Sequence, residues 1–210
     1  MRYYIADCHF FHENINHRMD NRGFSNAEEM NEYMIKKWNG KVRRNDEVVI
    51  LGDLSLGRAE PTNEILKRLN GRLYLLIGNH DKWIKQSGAN LSRFQWVKDY
   101  AEMADDGRKV VLCHYYIPTY NGQYRRDKNG IPKTWMLFGH VHNTLDMEYI
   151  DDYQDRVRKQ ERKAEGYDGV QNVPSQAINC FCMYSDYEPL ALDEWIEFEK
   201  TRRERFPYQI

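Results

Sequence analysis

The chain has 210 residues, of which 41% are hydrophobic and 30% charged, a composition that excludes wholesale disorder and is sufficient for a sizeable core. Its 31 basic and 32 acidic residues give a formal net charge of -1, so no global field attracts nucleic acid or anionic membranes. An acidic residue, Asp7, precedes any secretory apolar stretch, and no apolar run approaches the ~18 residues that span a bilayer. We therefore expect a cytoplasmic protein that makes no membrane contact.

Five short apolar runs along the chain each end on polar side chains that are common metal ligands. The runs and the residues that follow them are 3–6 with Asp7-Cys8-His9, 48–51 with Gly52-Asp53, 73–77 with Gly78-Asn79-His80-Asp81, 110–113 with His114, and 135–138 with Gly139-His140-Val141-His142. Continuous runs of β-branched, aromatic and aliphatic residues are typical of strands that are buried on both faces. The pattern therefore predicts five strands whose ends carry the polar clusters.

Helical patterns separate the early strands. Ser25 and Glu28 predict a capping box that opens an amphipathic helix through about Trp38, and residues 60–69 predict a second helix with Pro61 in its first turn. Alternating strands and helices favour an α/β (α+β) fold, in which functional residues gather where the strands end. No internal repeat or Gly/Ser linker interrupts the chain, so we expect residues 1–210 to form a single domain.

The second half of the chain is less regular. Residues 94–104 and 108–113 predict a hairpin that turns at Asp106-Gly107, and residues 115–133 predict a long loop. Eleven charged side chains in 151–170 predict a solvated helix, which we interpret as a charged insertion at about 150–170. A further strand over 177–183 and a closing helix over 192–203 complete the expected fold.

The distribution of histidines indicates a metal site. Five of the seven histidines lie in the strand-end clusters, and with Asp7, Asp53 and Asn79 they place eight nitrogen and oxygen donors at one edge of the predicted sheet. Eight donors exceed the needs of one tetrahedral zinc and suit two divalent ions that share a bridging carboxylate. Oxygen and imidazole donors without thiolate favour Mn, Fe, Zn or Mg and do not rank them.

The clusters, taken in order, resemble the five motifs of the calcineurin-like metallophosphoesterases. The motifs cover residues 7–142, and Ile178-Asn179-Cys180-Phe181-Cys182 followed by 186–190 is similar to the end of small bacterial and phage members. The resemblance implies a two-sheet β-sandwich flanked by helices, with a dimetal site at the strand ends. It departs from the family pattern at Cys113-His114, where many members have Gly-His.

Position by position, the resemblance assigns roles to the cluster residues. It implies that Asp7, His9 and His142 hold the first metal, that Asn79, His114 and His140 hold the second, and that Asp53 bridges the two. A hydroxide held between the ions would then attack phosphorus in line. The implied general acid to the leaving oxygen is His80, with Asp81 orienting its ring.

Four other residues are candidates for substrate contact. His12 follows the first motif and would suit phosphate as a cationic imidazole, although a surface loop histidine is an equal interpretation. Tyr116, Arg125 and Arg126 lie in the loop after His114, where stacking faces and cations fit a nucleotide or single-stranded nucleic acid. A solvated loop with tyrosines anchored in the core explains the same residues.

The resulting hypothesis is a phosphoesterase with two divalent metal ions, acting on a phosphodiester in a phosphorylated small molecule or nucleotide. Alternatives within the class are a phosphomonoesterase and a nuclease, for which nucleic acid would be the substrate. A protein Ser/Thr phosphatase is disfavoured, because that branch places Asp-Arg-Gly after its second motif whereas this chain has Leu54-Ser55-Leu56-Gly57. A non-catalytic metal-binding scaffold is the remaining alternative, and retention of every presumed ligand argues against it.

Overall fold

The computed structural model describes residues 1–163 and 169–208. Its strands are β1 (Arg2–Ile5), β2 (Glu47–Ile50), β3 (Arg72–Leu76), β4 (Phe94–Lys98), β5 (Tyr100–Asp105), β6 (Arg108–Cys113), β7 (Thr134–Phe138), β8 (Glu161–Lys163), β9 (Val170–Asn172) and β10 (Ala177–Asn179). Its helices are α1 (Ala27–Lys41), α2 (Ala59–Arg68), α3 (Leu145–Arg158), α4 (Leu192–Glu199) and α5 (Arg202–Arg205), besides short 3-10 turns. The mixed α/β character expected from the sequence is therefore confirmed. None of the helices in the described part is long and apolar enough to cross a membrane.

Two four-stranded sheets carry the fold. The first has the order β1-β2-β3-β4 with every pair parallel, as short buried strands joined by helical crossovers require. The second has the order β10-β7-β6-β5, in which only the β5–β6 hairpin is antiparallel. The carboxyl ends of β1, β2 and β3 share one edge of the first sheet, and those of β6 and β7 share one edge of the second. These are the strands that the polar clusters follow.

The two sheets are joined at both of their outer strands. The Ala6 N–H donates to Cys180 O at 2.8 Å and Cys182 N–H donates to Ala6 O at 3.0 Å, so the chain after β1 lies against the chain after β10. At the other side, β4 ends at Lys98 and β5 starts at Tyr100. The single strand expected over residues 94–104 is therefore wrong, because the chain leaves one sheet and enters the other at Asp99.

One buried core contains side chains from both sheets. Trp38 of α1, Trp83 and Trp195 of α4 are its largest apolar side chains, each at most 1% exposed. A smaller cluster lies between the second sheet and α3, where Phe138 packs with Met147. The sheets thus supply most of the apolar surface that the helices cover.

Helix α1 begins one residue later than its predicted capping box. The side chain of Asn26 accepts the Glu29 N–H at 2.9 Å, and the Glu29 carboxylate accepts the Ser25 N–H at 2.8 Å. Asn26 is therefore the cap in place of Ser25, and Glu29 binds the N–H of the residue before the cap, so the reciprocal pair of the predicted capping box is not formed. Helix α2 agrees with its prediction over nearly its whole length.

The charged segment after residue 150 differs from the expected solvated helix. Helix α3 starts earlier, at Leu145, and ends at Arg158, after which β8 and β9 form a short antiparallel pair. Residues 164–168 of the expected helix lie outside the described residues. Inside α3, Asp151 is 1% exposed and its carboxylate accepts Arg202 Nη2 at 2.5 Å, so this face is buried by the C-terminal helices.

The C-terminal elements are shorter than expected. The strand predicted over 177–183 ends at Asn179 and continues as a 3-10 turn over Cys182–Ser185. The closing helix is divided into α4 and α5, since Thr201 between them is not helical.

Candidate metal centre

Backbone strain marks the residues at the strand ends. The φ angles are 56° at Asp7, 53° at His9, 52° at Asp53, 75° at His140 and 49° at His142, all in the left-handed region that only a few per cent of non-glycine residues adopt. Strain of this kind persists where surrounding structure over-determines it, as at functional sites. The side chains of Asp7 and His9 are thus brought together by left-handed turns and not by an extended segment.

Two motif glycines permit close approach of the loops. A Cβ on Gly52, whose φ is 92°, would lie 2.3 Å from Nδ1 of His114, and one on Gly78 would lie 2.1 Å from Oδ1 of Asp53. No side chain fits at either position without displacing a predicted ligand. Gly52 and Gly78 therefore allow the loops after β2 and β3 to approach the predicted ligands closely.

The first group of potential ligands combines Asp7, His9 and His142. One ligand atom from each residue lies within 4.8 Å of the others, and all three residues are buried. Nε2 of His142 is 3.1 Å from Nε2 of His9 and 3.8 Å from Oδ1 of Asp7. These are the residues that the resemblance places on a first metal.

The second group combines Asp7, Asp53 and His114 within the same 4.8 Å limit. Nε2 of His114 lies 3.0 Å from Oδ1 of Asn79, which brings this predicted ligand to the group as well. Oδ2 of Asp53 is 3.5 Å from Nε2 of His114 and 3.6 Å from Nε2 of His9, so one oxygen contacts histidines of both groups.

His140 lies at the exposed side of the second group. Its ring centroid is 5.1 Å from that of His114, and its backbone N–H donates to both carboxylate oxygens of Asp7 at 3.0 and 3.1 Å. The structure thus brings all seven predicted metal ligands into one cluster.

Hydrogen bonds fix which nitrogen of two histidines faces the cluster. Nδ1 of His114 donates to the carbonyl oxygen of Leu51 at 2.8 Å, and Nδ1 of His142 donates to Oδ1 of Asp20 at 2.6 Å. Since these oxygens only accept, both Nδ1 atoms carry protons, and a neutral ring presents its Nε2 lone pair to the cluster. The lone pair of His114 then faces an amide oxygen of Asn79 at 3.0 Å, an arrangement that a cation between them stabilises.

The electrostatics of the cluster also favour a cation. Burial lowers the pKa of His114, but the hydrogen bond with Asp53 and the charges of Asp7 and Asp53 outweigh it and raise that pKa to about 9. Burial raises the pKa of the Asp7 carboxyl. The buried carboxylates of Asp7 and Asp53 therefore need a positive charge beside them. Either a proton on His114 or a divalent ion in place of that proton can supply it. The carboxylate, amide and imidazole donors fit such an ion.

Asp81 has a different role from the predicted one. Its carboxylate accepts backbone N–H groups from the loops after β2 and β3 and the indole N–H of Trp83. The donors and distances are Asp53 at 2.8 Å, Leu54 at 2.9 Å, Ser55 at 3.3 Å, Gly78 at 3.0 Å and Trp83 at 3.1 Å. Burial raises its pKa to about 6, which still leaves it mostly ionised at neutral pH. Asp81 thus holds two loops together, and none of its hydrogen bonds reaches the His80 ring.

His80 and His12 lie beside the first group. The ring of His80 is 5.3 Å from that of His9, while its backbone N–H donates to Oδ1 of Asp53 at 2.7 Å. The ring of His12 is 5.4 Å from that of His9 and 6.3 Å from that of His80. Burial and the neighbouring His80 lower the pKa of His12, so the structure favours a neutral ring over the expected cationic imidazole.

The other predicted substrate contacts lie away from the cluster. Tyr116 packs against Phe138 and Tyr153 on the second, smaller core. Arg125 and Arg126 line a groove beside Lys109 and Thr134, where β6 and β7 begin, whereas the cluster lies where these strands end. The structure therefore does not bring these three residues to the metal ligands, because the loop returns along the sheet before β7 starts.

Sequence reasoning missed three residues at the cluster. Tyr115 takes the position expected for Tyr116, with its ring 4.6 Å from that of His140. Asp20 orients His142, and buried Arg22 donates to Asp20 at 2.9 Å and to the carbonyl oxygens of Asp7 and Cys8. The sequence Asp20-Asn21-Arg22, in a polar loop, gives no local indication that it positions a metal ligand. Only its closeness to the first motif could have suggested it.

A family model described as "Calcineurin-like phosphoesterase" matches residues 3–206, which is nearly the whole chain. The chain belongs to the calcineurin-like phosphoesterase family. The resemblance carried by the five motifs is therefore confirmed, together with a set of residues able to bind metal.

Two proteins and one crystal structure from other organisms are similar to the chain. The protein MJ1445 of Methanocaldococcus jannaschii is 31% identical over 193 residues, which cover 91% of this chain and 86% of that protein. The Gene 66 protein of Mycobacterium phage D29 is 30% identical over 135 residues, covering 54% of this chain and 66% of that protein. The crystal structure of the Aquifex aeolicus protein AQ665 has a TM-score of 0.63 at 22% identity and covers 94% of this chain and 98% of its own, which shows a shared fold.

The role of Asp81 in joining two loops is testable by Asp81→Asn. The substitution turns an acceptor oxygen into a donor that faces N–H groups, so we expect the free energy of unfolding to fall by about 3 kcal/mol and metal content to fall with it. Urea denaturation and elemental analysis measure the two effects, and Asp106→Asn at an exposed turn is the matched control. Wild-type stability and metal content with reduced turnover would instead restore the predicted role in orienting His80.

Proposed function

We propose that the protein is a phosphoester hydrolase that works with two divalent metal ions and prefers phosphodiesters of small molecules or nucleotides. The observation that carries the proposal is Oδ2 of Asp53, which lies within 3.6 Å of an imidazole nitrogen from each of two ligand groups. A carboxylate oxygen shared in this way suits a pair of ions better than a single structural ion. The family membership supports phosphoester hydrolysis as the reaction.

The proposed ligand sets follow the two groups. Asp7, His9 and His142 would hold the first ion, and Asn79, His114 and His140 would hold the second, with Asp53 between them. When bound, the ions would supply an activated water and positive charge for the developing phosphorane. Asp20 and the Leu51 carbonyl oxygen keep His142 and His114 in the tautomer that ligation needs. We further propose that the two sheets are the layers of the sandwich that the family resemblance implies, since they share one core.

His80 is the proposed proton donor to the leaving oxygen. Its side chain is partly exposed beside His9, while its backbone N–H is held by Asp53. The side chain is thereby placed next to the ligands without having to be one of them. A neutral His12 on the same side can donate a hydrogen bond to a phosphoryl oxygen.

The charge around the cluster favours a diester over a monoester. The charge of the Arg22 guanidinium opposes protonation of His9, His12 and His142. This guanidinium is buried, and it donates to Asp20 and to two backbone carbonyl oxygens. It is therefore not free to bind the second negative charge of a phosphomonoester. An alkoxide leaving group, which alkyl esters of either kind release, needs the acid that His80 supplies, so the preference for a diester rests on the charge alone.

A substrate screen with metal-reconstituted protein tests the proposed function. Protein stripped by a chelator should be inactive, and Mn²⁺, Fe²⁺, Zn²⁺ or Mg²⁺ should restore hydrolysis of linear or cyclic phosphodiesters above that of phosphomonoesters and short nucleic acids. Full activity in protein shown by elemental analysis to be metal-free would contradict metal dependence. A preference for monoesters or for nucleic acid would replace the diester assignment with one of the alternatives within the family.

The role of His80 is tested by His80→Asn. The backbone bond to Asp53 is retained, so we expect metal content to stay at the wild-type level while kcat falls by ~10²–10⁴, as for loss of a general acid. The deficit should shrink as the leaving group becomes more acidic along a series of alkyl and aryl phosphodiesters. His17→Asn, at an exposed histidine that faces Glu13, is the matched control.

Two results would contradict this role. An equal deficit across the leaving-group series would assign His80 to substrate positioning. Loss of metal in the variant would make His80 a ligand.

A further inference from the structure

A basic groove lies at the end of the second sheet opposite the metal ligands. Its volume is about 680 Å³, and its cationic and aromatic lining consists of Lys109, Tyr124, Arg125, Arg126, Lys133 and Arg162. Lys109 and Thr134 are paired at the start of β6 and β7, whereas His114 and His140 follow the ends of these strands. Five residues of extended chain separate Lys109 from His114, which corresponds to about 17 Å.

The cations of this groove have few anionic partners. Lys109 pairs with Glu102 at 2.6 Å, but Arg126 donates, among the described residues, to the carbonyl oxygens of Gly130 and Asn172 and to no carboxylate. Among residues 1–163 and 169–208, no carboxylate forms an ion pair with Arg125, Lys133 or Arg162. Although the formal net charge of the protein is -1, the groove therefore contains three cations, Arg125, Lys133 and Arg162, that no described carboxylate neutralises.

Beneath the floor of the groove lies a hydroxyl that has no partner in the described part of the chain. Thr134 is 0% exposed, and its Oγ1 makes no hydrogen bond with residues 1–163 or 169–208. A Cβ on Gly122 would lie 3.2 Å from that oxygen and 3.3 to 3.4 Å from the side-chain stems of Lys109 and Arg125. A buried hydroxyl of this kind needs a ligand or water to satisfy it. The glycine keeps the space above it free of a side chain.

One wall of the groove offers an aromatic face. The guanidinium of Arg162 lies 4.2 Å from the centroid of the Tyr124 ring, which is 47% exposed. A stacked guanidinium and phenol ring form a surface on which a planar base packs. The cations and this surface together match the phosphate and base of a nucleotide, and the volume suits one such molecule.

We propose that this groove binds a nucleoside phosphate at a site separate from the metal centre. The phosphate would contact Arg125 and Lys133, and the base would pack on Tyr124 and Arg162. The proposal does not depend on the reaction at the metal centre, since no predicted metal ligand lines the groove.

Calorimetric titration of ADP into the full-length protein tests the proposal. The protein is first treated with a chelator, so that phosphate groups have no metal ions to bind, and the titration is done at low ionic strength. Saturable binding to the wild type is expected. Lys133→Gln and Arg125→Gln should each weaken it about tenfold, as loss of a hydrogen bond to a charged group does. Lys36→Gln, an equal charge change on the exposed face of α1, should leave the dissociation constant unchanged within about twofold.

Several outcomes would overturn the proposal. These are absence of ADP binding by the wild type, and equal affinity of the wild type and both groove variants. Inorganic pyrophosphate that binds as tightly as ADP would show that no base is recognised. A single-stranded oligonucleotide that binds where ADP does not would make the groove a nucleic-acid site.

Measuring hydrolysis at the metal centre shows whether the groove is separate from the substrate site. Metal-loaded Lys133→Gln should hydrolyse a small aryl phosphodiester at the wild-type rate while ADP binding is lost. A parallel loss of both would make the groove part of the substrate path and overturn the separate site. Failure of the proposed phosphoesterase function would leave the ADP titration unaffected, so the two proposals fail independently.

Discussion

The geometry of the candidate metal centre depends on carboxylates that bind the backbone of neighbouring loops. Asp81 accepts N–H groups from the loops after β2 and β3, and Asp7 accepts the His140 N–H from the loop after β7. A buried carboxylate is unfavourable unless hydrogen bonds satisfy it, so these oxygens fix the positions of their donors. The left-handed turns at Asp53 and His140 are held by the same contacts.

The strands were predictable from the sequence because their whole surface is buried. Runs such as 48–51 and 73–77 are apolar on both faces, and this composition leaves few alternatives to a central strand. The change of sheet at Asp99 and the end of α3 at Arg158 had no such signal. Asp99 lies in a continuous strand-like sequence, and Asp151 of α3 is buried against Arg202, which is distant in the chain. Both features depend on tertiary contacts.

The metal ligands were predictable because each follows a strand directly and the motifs occur in family order. The residues that position the ligands were not, since Asp20 and Arg22 lie in a loop whose composition is ordinary for a surface. The substrate contacts proposed in the long loop depended on where that loop runs. It returns to the far end of the sheet, so Arg125 and Arg126 form part of a different groove. Length and composition do not determine the path of such a loop.

The central claim is that two metal ions lie on either side of Asp53. Anomalous diffraction from crystals of the Mn²⁺-loaded protein measures this directly, because each ion gives its own peak. We expect two peaks that both contact the Asp53 carboxylate, one also bound by Asp7, His9 and His142 and the other by Asn79, His114 and His140. A single peak, or two peaks of which Asp53 touches only one, would contradict the account.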